Sequence, residues 1–245
     1  FTTSDVEMLA KAYITPQVTA GYNNPAVVTK IVEALDGFAS DYYVNPSTSL
    51  TTSNYGGAGG NEVWGGRFGP LGWAVQLLAS PLAASFDVSV SYGTAGGTRT
   101  RRSAWGDMFA ASRDSGRFNR NGRAITNQAL IADGNIYKAN RGLLALGDSR
   151  AFSETAAQRY LREACGLTPW LGSDLAGGGS TLNYGSSYYQ VTPKGLTREW
   201  GYVGGYGEMQ IYAATFFEWT GNTEFRDQAV NMIKARAPFR RPAIE

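Results

Sequence analysis

The sequence predicts a mainly α fold: an α/α toroid or a similar helical array. Its helical hairpins form an incomplete or complete ring, with long Gly/aromatic loops and minor β. Three observations predict it. Apolar positions recur at helical spacing over most of the chain. The helical segments fall into pairs, joined alternately by short turns and by long irregular stretches. Glycine makes up 31 of 245 residues, nearly twice the usual share of about 7%, which implies shaped loops around regular elements. Helices with one apolar face bury it on their neighbours, which is what an array provides. No interdomain boundary is visible, so residues 1–245 are expected to form one domain.

The elements follow in order. Asp5 to Ala12 reads as a short helix with Ser4 as its cap. Pro25 to Phe38 places Val27, Val28, Ile31, Val32 and Leu35 on one helical face, and Pro25 suits a first turn. Tyr43 to Pro70 is rich in Ser, Thr, Asn and Gly and reads as a long loop, a length that is usually functional or disordered. Leu71 to Leu82 resumes a helix that meets Pro81 near its end. Phe86 to Tyr92 alternates apolar and small polar residues, the period of a strand, and Gly93 to Arg102 is a turn or loop. Trp105 to Ala111 predicts one or two helical turns. Arg123 to Leu146 is the longest helix, and Ser153 to Ala164 follows with a serine cap. Gly166 to Tyr206 is irregular and carries Gly177-Gly178-Gly179. Gly207 to Thr220 and Thr223 to Ala237 form a helical hairpin, with Gly221 as stop and Asn222 as cap.

Composition excludes several classes. A net charge of +2 is too small for a nucleic-acid protein. The dense basic run Arg99, Arg101 and Arg102 reads as a solvated loop, with phosphate binding as the minor alternative. The chain has no histidine, which rules out Ser-His-Asp, Cys-His and His-zinc sites within it. Its one cysteine, Cys165, forms no intrachain disulfide and ends an amphipathic stretch, where a buried inert thiol is expected. There is no basic-then-apolar leader and no apolar run of about 18 residues, so neither a signal peptide nor a membrane span is expected. A start on Phe1 and an end on Arg-Arg-Pro-Ala-Ile-Glu suggest an excised piece of a longer precursor, whose remainder is a candidate partner.

Two regions carry candidate chemistry. On the helix from Arg123 to Leu146, Ile125, Ala132, Ile136, Ala139 and Leu143 form an apolar stripe, with Gln128 and Asn135 beside it. Asn127, Lys138 and Arg141 share another face, with Gly134 leaving a gap between them. Asparagine is not favoured inside helices, so Asn127, Asn135 and Asn140 either bond neighbouring loops or direct a carboxamide into a cleft. The second region, Thr197 to Gln210, packs Arg198, Glu199, Trp200, Tyr202, Tyr206, Glu208 and four glycines into fourteen residues. Glycine permits close backbone approach, aromatic rings offer faces for sugars, and arginine can clamp a carboxylate. The groove of an acidic carbohydrate is one reading; an aromatic loop that only closes a helical domain is the other. Tyr188-Tyr189-Gln190 has the residue types of a strand edge.

Several segments resemble those of secreted actinobacterial proteins related to the heparinase-type polysaccharide lyases. They are Ala104-Trp-Gly-Asp-Met-Phe, Thr126-Asn-Gln-Ala-Leu-Ile, Asn135-Ile-Tyr-Lys-Ala-Asn-Arg-Gly-Leu, Pro169-Trp-Leu-Gly-Ser-Asp, and Tyr188 through Tyr202. The resemblance spans roughly Trp105 to Pro242. It implies an α/α toroid, of which this chain holds the helical part, secretion, and β-elimination beside a uronic acid in an acidic polysaccharide. Such a site needs an amide or guanidinium to neutralise the uronate, a base for the C5 proton and an acid for the leaving oxygen. Carried over, Asn127 neutralises the carboxylate and Tyr202 and Tyr206 act as base and acid, with Tyr189 in reserve. Arg198 orients the uronate and Trp200 stacks on a neighbouring ring. Tyr188, Gln128, Arg141 and Glu208 complete the substrate contacts. A free phenol has a pKa near 10, and a nearby cation can lower an acidic group by roughly 1–3 units; Arg198 or Arg141 could supply that field. The missing histidine departs from the commonest lyase sites and makes an all-tyrosine mechanism necessary, leaves the missing group on another chain or fragment, or removes catalysis.

Two other classes stay open. A hydrolase would pair carboxylates about 5–5.5 or 6.5–9.5 Å apart, from Glu199, Glu208, Asp174 and Asp107. A carbohydrate-binding or scaffold module would catalyse nothing. No cofactor or metal is called for: Asp133 and Asn135 could contribute to a calcium site, but no loop has the regular ligand spacing.

Overall fold

The computed structural model describes residues 1–50, 67–120, 126–172, 174, 188–197 and 210–237. These residues are mainly helical, with one two-stranded antiparallel sheet. The chain divides into two compact units: unit 1 is Phe1–Gly116 with Asn135–Glu154, and unit 2 is Arg117–Gly134 with Thr155–Glu245.

Unit 1 opens with α1 (Thr3–Ile14), capped by Thr2 rather than Ser4: Thr2 Oγ1 accepts from the Asp5 amide and Asp5 returns a bond to the Thr2 amide. The box wins because it satisfies two orphan donors at once. Helix α2 (Pro25–Val44) keeps the expected start, with Asn24 accepting from the Ala26 amide, and runs past Phe38. Within the expected long loop lie a short helix α3 (Pro46–Ser49) and the start of α4 (Gly69–Leu77). The expected helix from Leu71 is broken at Leu78, and α5 (Ala79–Phe86) follows. Pro81 therefore sits in the first turn of α5, where no intrahelical donor is needed.

The strand signal shrinks to β1 (Ser89–Ser91). It pairs with β2 (Thr98–Thr100), with Val90 opposite Arg99, around the short helix α6 (Gly93–Gly96). Helix α7 (Arg101–Phe118) is far longer than its apolar pattern suggests. Its core face includes Ser112 and Arg113, which are buried with partners: Ser112 Oγ accepts from the Phe68 amide, and Arg113 bonds Asn140 and the Arg150 carbonyl. Polar residues on the inner face hide helical periodicity.

Helix α8 (Thr126–Leu146) carries residues of both units. In unit 1 its second half meets α4 at glycines. A Cβ on Gly72 would lie 2.6 Å from the Lys138 carbonyl oxygen, and one on Gly142 would lie 2.6 Å from Gly72 Cα. The unit 1 core gathers Ile31, Leu35, Leu71, Val75, Trp105, Phe109 and Leu143. Asp36 on α2 ties this core to the residue after β1 and to the first turns of α7, accepting from Tyr92, Arg101 and Trp105.

Helix α9 (Glu154–Ala164), in unit 2 from Thr155 onward, begins directly after Ser153, as expected. Helices α10 (Gln210–Thr220) and α11 (Thr223–Arg236) pack on each other as the expected hairpin. Gly221 adopts φ +66° at the turn, and Asn222 accepts from the Glu224 amide at 3.1 Å.

Candidate functional site

The best-anchored candidate surface lies in unit 2, around Tyr188–Thr197. Val191 bridges Thr197, and the Thr192 amide donates to the Leu196 carbonyl, making a tight reversal. Gly195, at φ +83°, presses on α11: a Cβ there would lie 2.6 Å from the Asn231 carbonyl oxygen. Gly166 brings the end of α9 equally close to Val191. The Trp170 amide donates to the Tyr188 carbonyl at 2.8 Å, and Thr126 Oγ1 donates to the Gln190 carbonyl at 2.6 Å. Hydrogen bonds and close packing thus fix this segment to α8, α9, α11 and the Trp170 stretch.

Asn127, next to Thr126 on α8, is buried, and Gln128 is half-buried. Tyr188 and Tyr189 are both half-buried, while Gln190 and Val191 take the fully buried positions. Both phenols are therefore partly open to solvent. Arg141 belongs to unit 1, where it ion-pairs with Glu154 and donates to Gln76. Lys138 pairs with Glu7. Asn140 follows the loop-bonding alternative, accepting from the Phe152 amide and donating to the Phe152 carbonyl. Arg198, Glu199, Trp200, Tyr202, Tyr206 and Glu208 lie outside the described residues.

Trp170, which bonds Tyr188, also packs against a charged cluster that the sequence did not announce. Arg120 is fully buried and meets Asp133 Oδ1 at 3.0 Å and Glu163 Oε2 at 2.5 Å, both carboxylates being equally buried. Its guanidinium lies over the Trp170 ring, 4.2 Å from the centroid, and donates to the Gly172 carbonyl. Outside this layer Asp174 takes two bonds from Arg159 and one from the Tyr160 hydroxyl, with Arg117 at 3.6 Å. Burial alone would raise the Asp174 carboxyl, but the Tyr160 hydrogen bond and the Arg159 charge outweigh it and hold it below its ordinary value. Burial and the bond to Asp174 push Tyr160 up to about 12, so it holds its proton. Asp133 faces a guanidinium, which answers the earlier calcium alternative for that residue. Among the described residues no group of three or more His, Cys, Asp or Glu could hold a metal ion.

Other candidates are also accounted for. Arg99, Arg101 and Arg102 each have a carboxylate partner, in Asp107, Asp36 and Asp87. Asp107, a hydrolase candidate, accepts from Tyr43, Arg99 and Arg150. Cys165 is buried, and burial pushes its thiol up to about 12, in keeping with an inert residue. One sequence signal could have pointed to the cluster: Thr126 and Asp133 are seven residues apart on α8, hence on one face. Nothing marked Arg120 as buried. No helix among the described residues is long and apolar enough to cross a membrane. Comparison with protein-family models, curated proteins and solved structures finds no significant match.

Proposed function

We propose that the chain is the helical, toroid-forming part of a secreted lyase that cleaves an acidic polysaccharide by β-elimination. Asn127 neutralises the uronate carboxylate, Tyr202 and Tyr206 exchange protons with C5 and the leaving oxygen, and Arg198 and Trp200 hold the sugar. Tyr188 and Tyr189 line the neighbouring subsite. The observation that supports this reading is the 2.6 Å bond from Thr126 to the Gln190 carbonyl. It joins the turn that bears Asn127 to the backbone that bears both phenols, within one unit. The hydrolase alternative loses two candidates, because Asp107 and Asp174 are already held by arginines and a tyrosine.

Incubation with a panel of uronate polysaccharides tests the proposal. Elimination creates a conjugated unsaturated uronate that absorbs in the near ultraviolet. Tyr206→Phe is expected to lower its rate by about 10²–10⁴-fold, the usual worth of a positioned acid or base, and Asn127→Ala by about 10²–10³-fold, the usual worth of a donor to developing charge, with the fold intact. Full activity in both Tyr202→Phe and Tyr206→Phe refutes the assigned acid and base. Reducing ends without absorbance would identify a hydrolase, and retention on the polysaccharide with neither product a binding module.

A further inference from the structure

We infer that the Arg120 cluster is a pH-sensitive clasp, in which a proton on Asp133 keeps the buried layer of unit 2 electrically balanced near neutrality. The inference is independent of the lyase reading. Its geometry is unequal: one fully buried cation, Arg120, serves two fully buried carboxylates, Asp133 and Glu163. The other cations stand outside that layer. Arg159 approaches Glu163 only to 3.5 Å, is 40% exposed, and gives two hydrogen bonds to Asp174. Arg117 faces Asp174. With every carboxylate ionised the inner layer carries an excess negative charge, and an uncompensated buried charge is costly.

The hydrogen bonds reach only one oxygen of each carboxylate: Asp133 Oδ2 accepts from Arg120 at 3.1 Å, and Glu163 Oε2 accepts from Arg120 and from the Leu171 amide. Asp133 Oδ1 and Glu163 Oε1 are buried and accept no hydrogen bond among the described residues. Asp133 Oδ1 lies near Arg120 Nε, but the two are not aligned for a bond. An ionised oxygen would be short of donors there. The groups facing Asp133 are Arg120 from just past the end of α7, and Glu163 and Arg159 from α9; Asp174, Tyr160 and Arg117 form the outer ring. Burial raises the Asp133 carboxyl most, the Arg120 charge opposes, and the Glu163 charge raises it again, leaving it at about 7. In a chain with no histidine, such a carboxyl is a means of sensing neutral pH.

The sign follows from the raised value. An acid held protonated by the fold contributes stability that is complete below its unfolded pKa, near 4, and lost as pH rises through about 7. The proton leaves to solvent, and the clasp between α8, α9 and the Trp170–Asp174 stretch loosens. The test measures unfolding of the full chain at pH 5 to 8 for wild type and Asp133→Asn, which cannot ionise. The ratio of unfolding constants, wild type to variant, should rise by about tenfold or more across that range. A ratio constant to within about twofold overturns the inference. Should the variant fail to fold, carbon-13 titration of the Asp133 carboxyl in wild type decides: a midpoint above about 6 upholds the clasp and a lower one overturns it. Glu163→Gln, by removing the second carboxylate, should lower that midpoint by about one unit or more; an unmoved midpoint denies the sharing of Arg120.

Discussion

Two glycine-to-alanine changes in unit 1 should move stability in opposite directions. Alanine is favoured over glycine inside a helix by about 1 kcal/mol. Gly37 is in the middle of α2 and exposed, with nothing within 4 Å of a built Cβ. Gly37→Ala should therefore stabilise by roughly 0.5–1 kcal/mol. Gly142 on α8 would place its Cβ 2.6 Å from Gly72 Cα and 2.8 Å from the Phe109 ring. Backbone cannot rotate away as a side-chain tip can, so the overpacking cost falls at the upper end of its range, about 3 kcal/mol. Subtracting the propensity gain leaves Gly142→Ala destabilised by about 2 kcal/mol. With a urea slope of about 2 kcal/mol/M, the midpoint should fall by about 1 M, while that of Gly37→Ala rises by about 0.3–0.5 M. Both glycines belong to unit 1, so one transition reads both. A Gly142→Ala midpoint equal to or above wild type would refute the close crossing of α4 and α8.

Two further outcomes are expected. Asn222→Ala should lose about 1 kcal/mol through the cap of α11, seen as faster hydrogen exchange in its first turn, whereas Asn222→Asp should retain most of it; equal exchange in all three proteins would deny the cap. Bonds from Arg150, opposed by burial, hold the Asp148 carboxyl below its ordinary value, so its contribution is present above pH about 4 and lost as pH falls through the lower folded value. Asp148→Asn should therefore flatten the acid side of a melting-temperature profile, and an unchanged acid side would remove that ion pair from the account.

Much of the fold was legible where apolar spacing and turn chemistry agreed. Pro25, Gly221 and Asn222 acted as their residue types dictate, and α9 started where Ser153 suggested. The failures share a physical cause. Helix α7 was underestimated because its inner face holds Ser112 and Arg113, satisfied by partners distant in sequence, so hydrophobic period alone could not trace it. Pro81 was placed near the end of a helix although it sits where one begins, a distinction that depends on the break at Leu78. The second strand was missed because Thr98-Arg99-Thr100 has no apolar alternation; its pairing is set by β1 across the turn.

The candidate site was legible in a different measure. Asn127 and Tyr188–Gln190 were singled out separately, and the Thr126–Gln190 bond that joins them has no signature in either segment. Arg120 was invisible because arginine is ordinarily a surface residue, and its burial depends on two carboxylates brought from α8 and α9. Asp133 was noticed only for its carboxylate, without the cation that fixes its role.

The tyrosines sharpen the argument about chemistry in a chain without histidine. Tyr43, Tyr92, Tyr137 and Tyr160 donate to Asp107, Asp36, Glu154 and Asp174, respectively. All four hydroxyls are raised, first by burial and then by the carboxylate they bond. A carboxylate partner disfavours the phenolate, so these four are poor bases and serve as struts between elements. An eliminating base needs the opposite surroundings, a cation with no carboxylate on the hydroxyl. That requirement turns attention away from these four tyrosines and toward Tyr202 and Tyr206, which follow Arg198 in sequence. It also separates the two readings chemically: a binding surface needs only the ring faces of those tyrosines, whereas a lyase needs the ionisation of at least one hydroxyl.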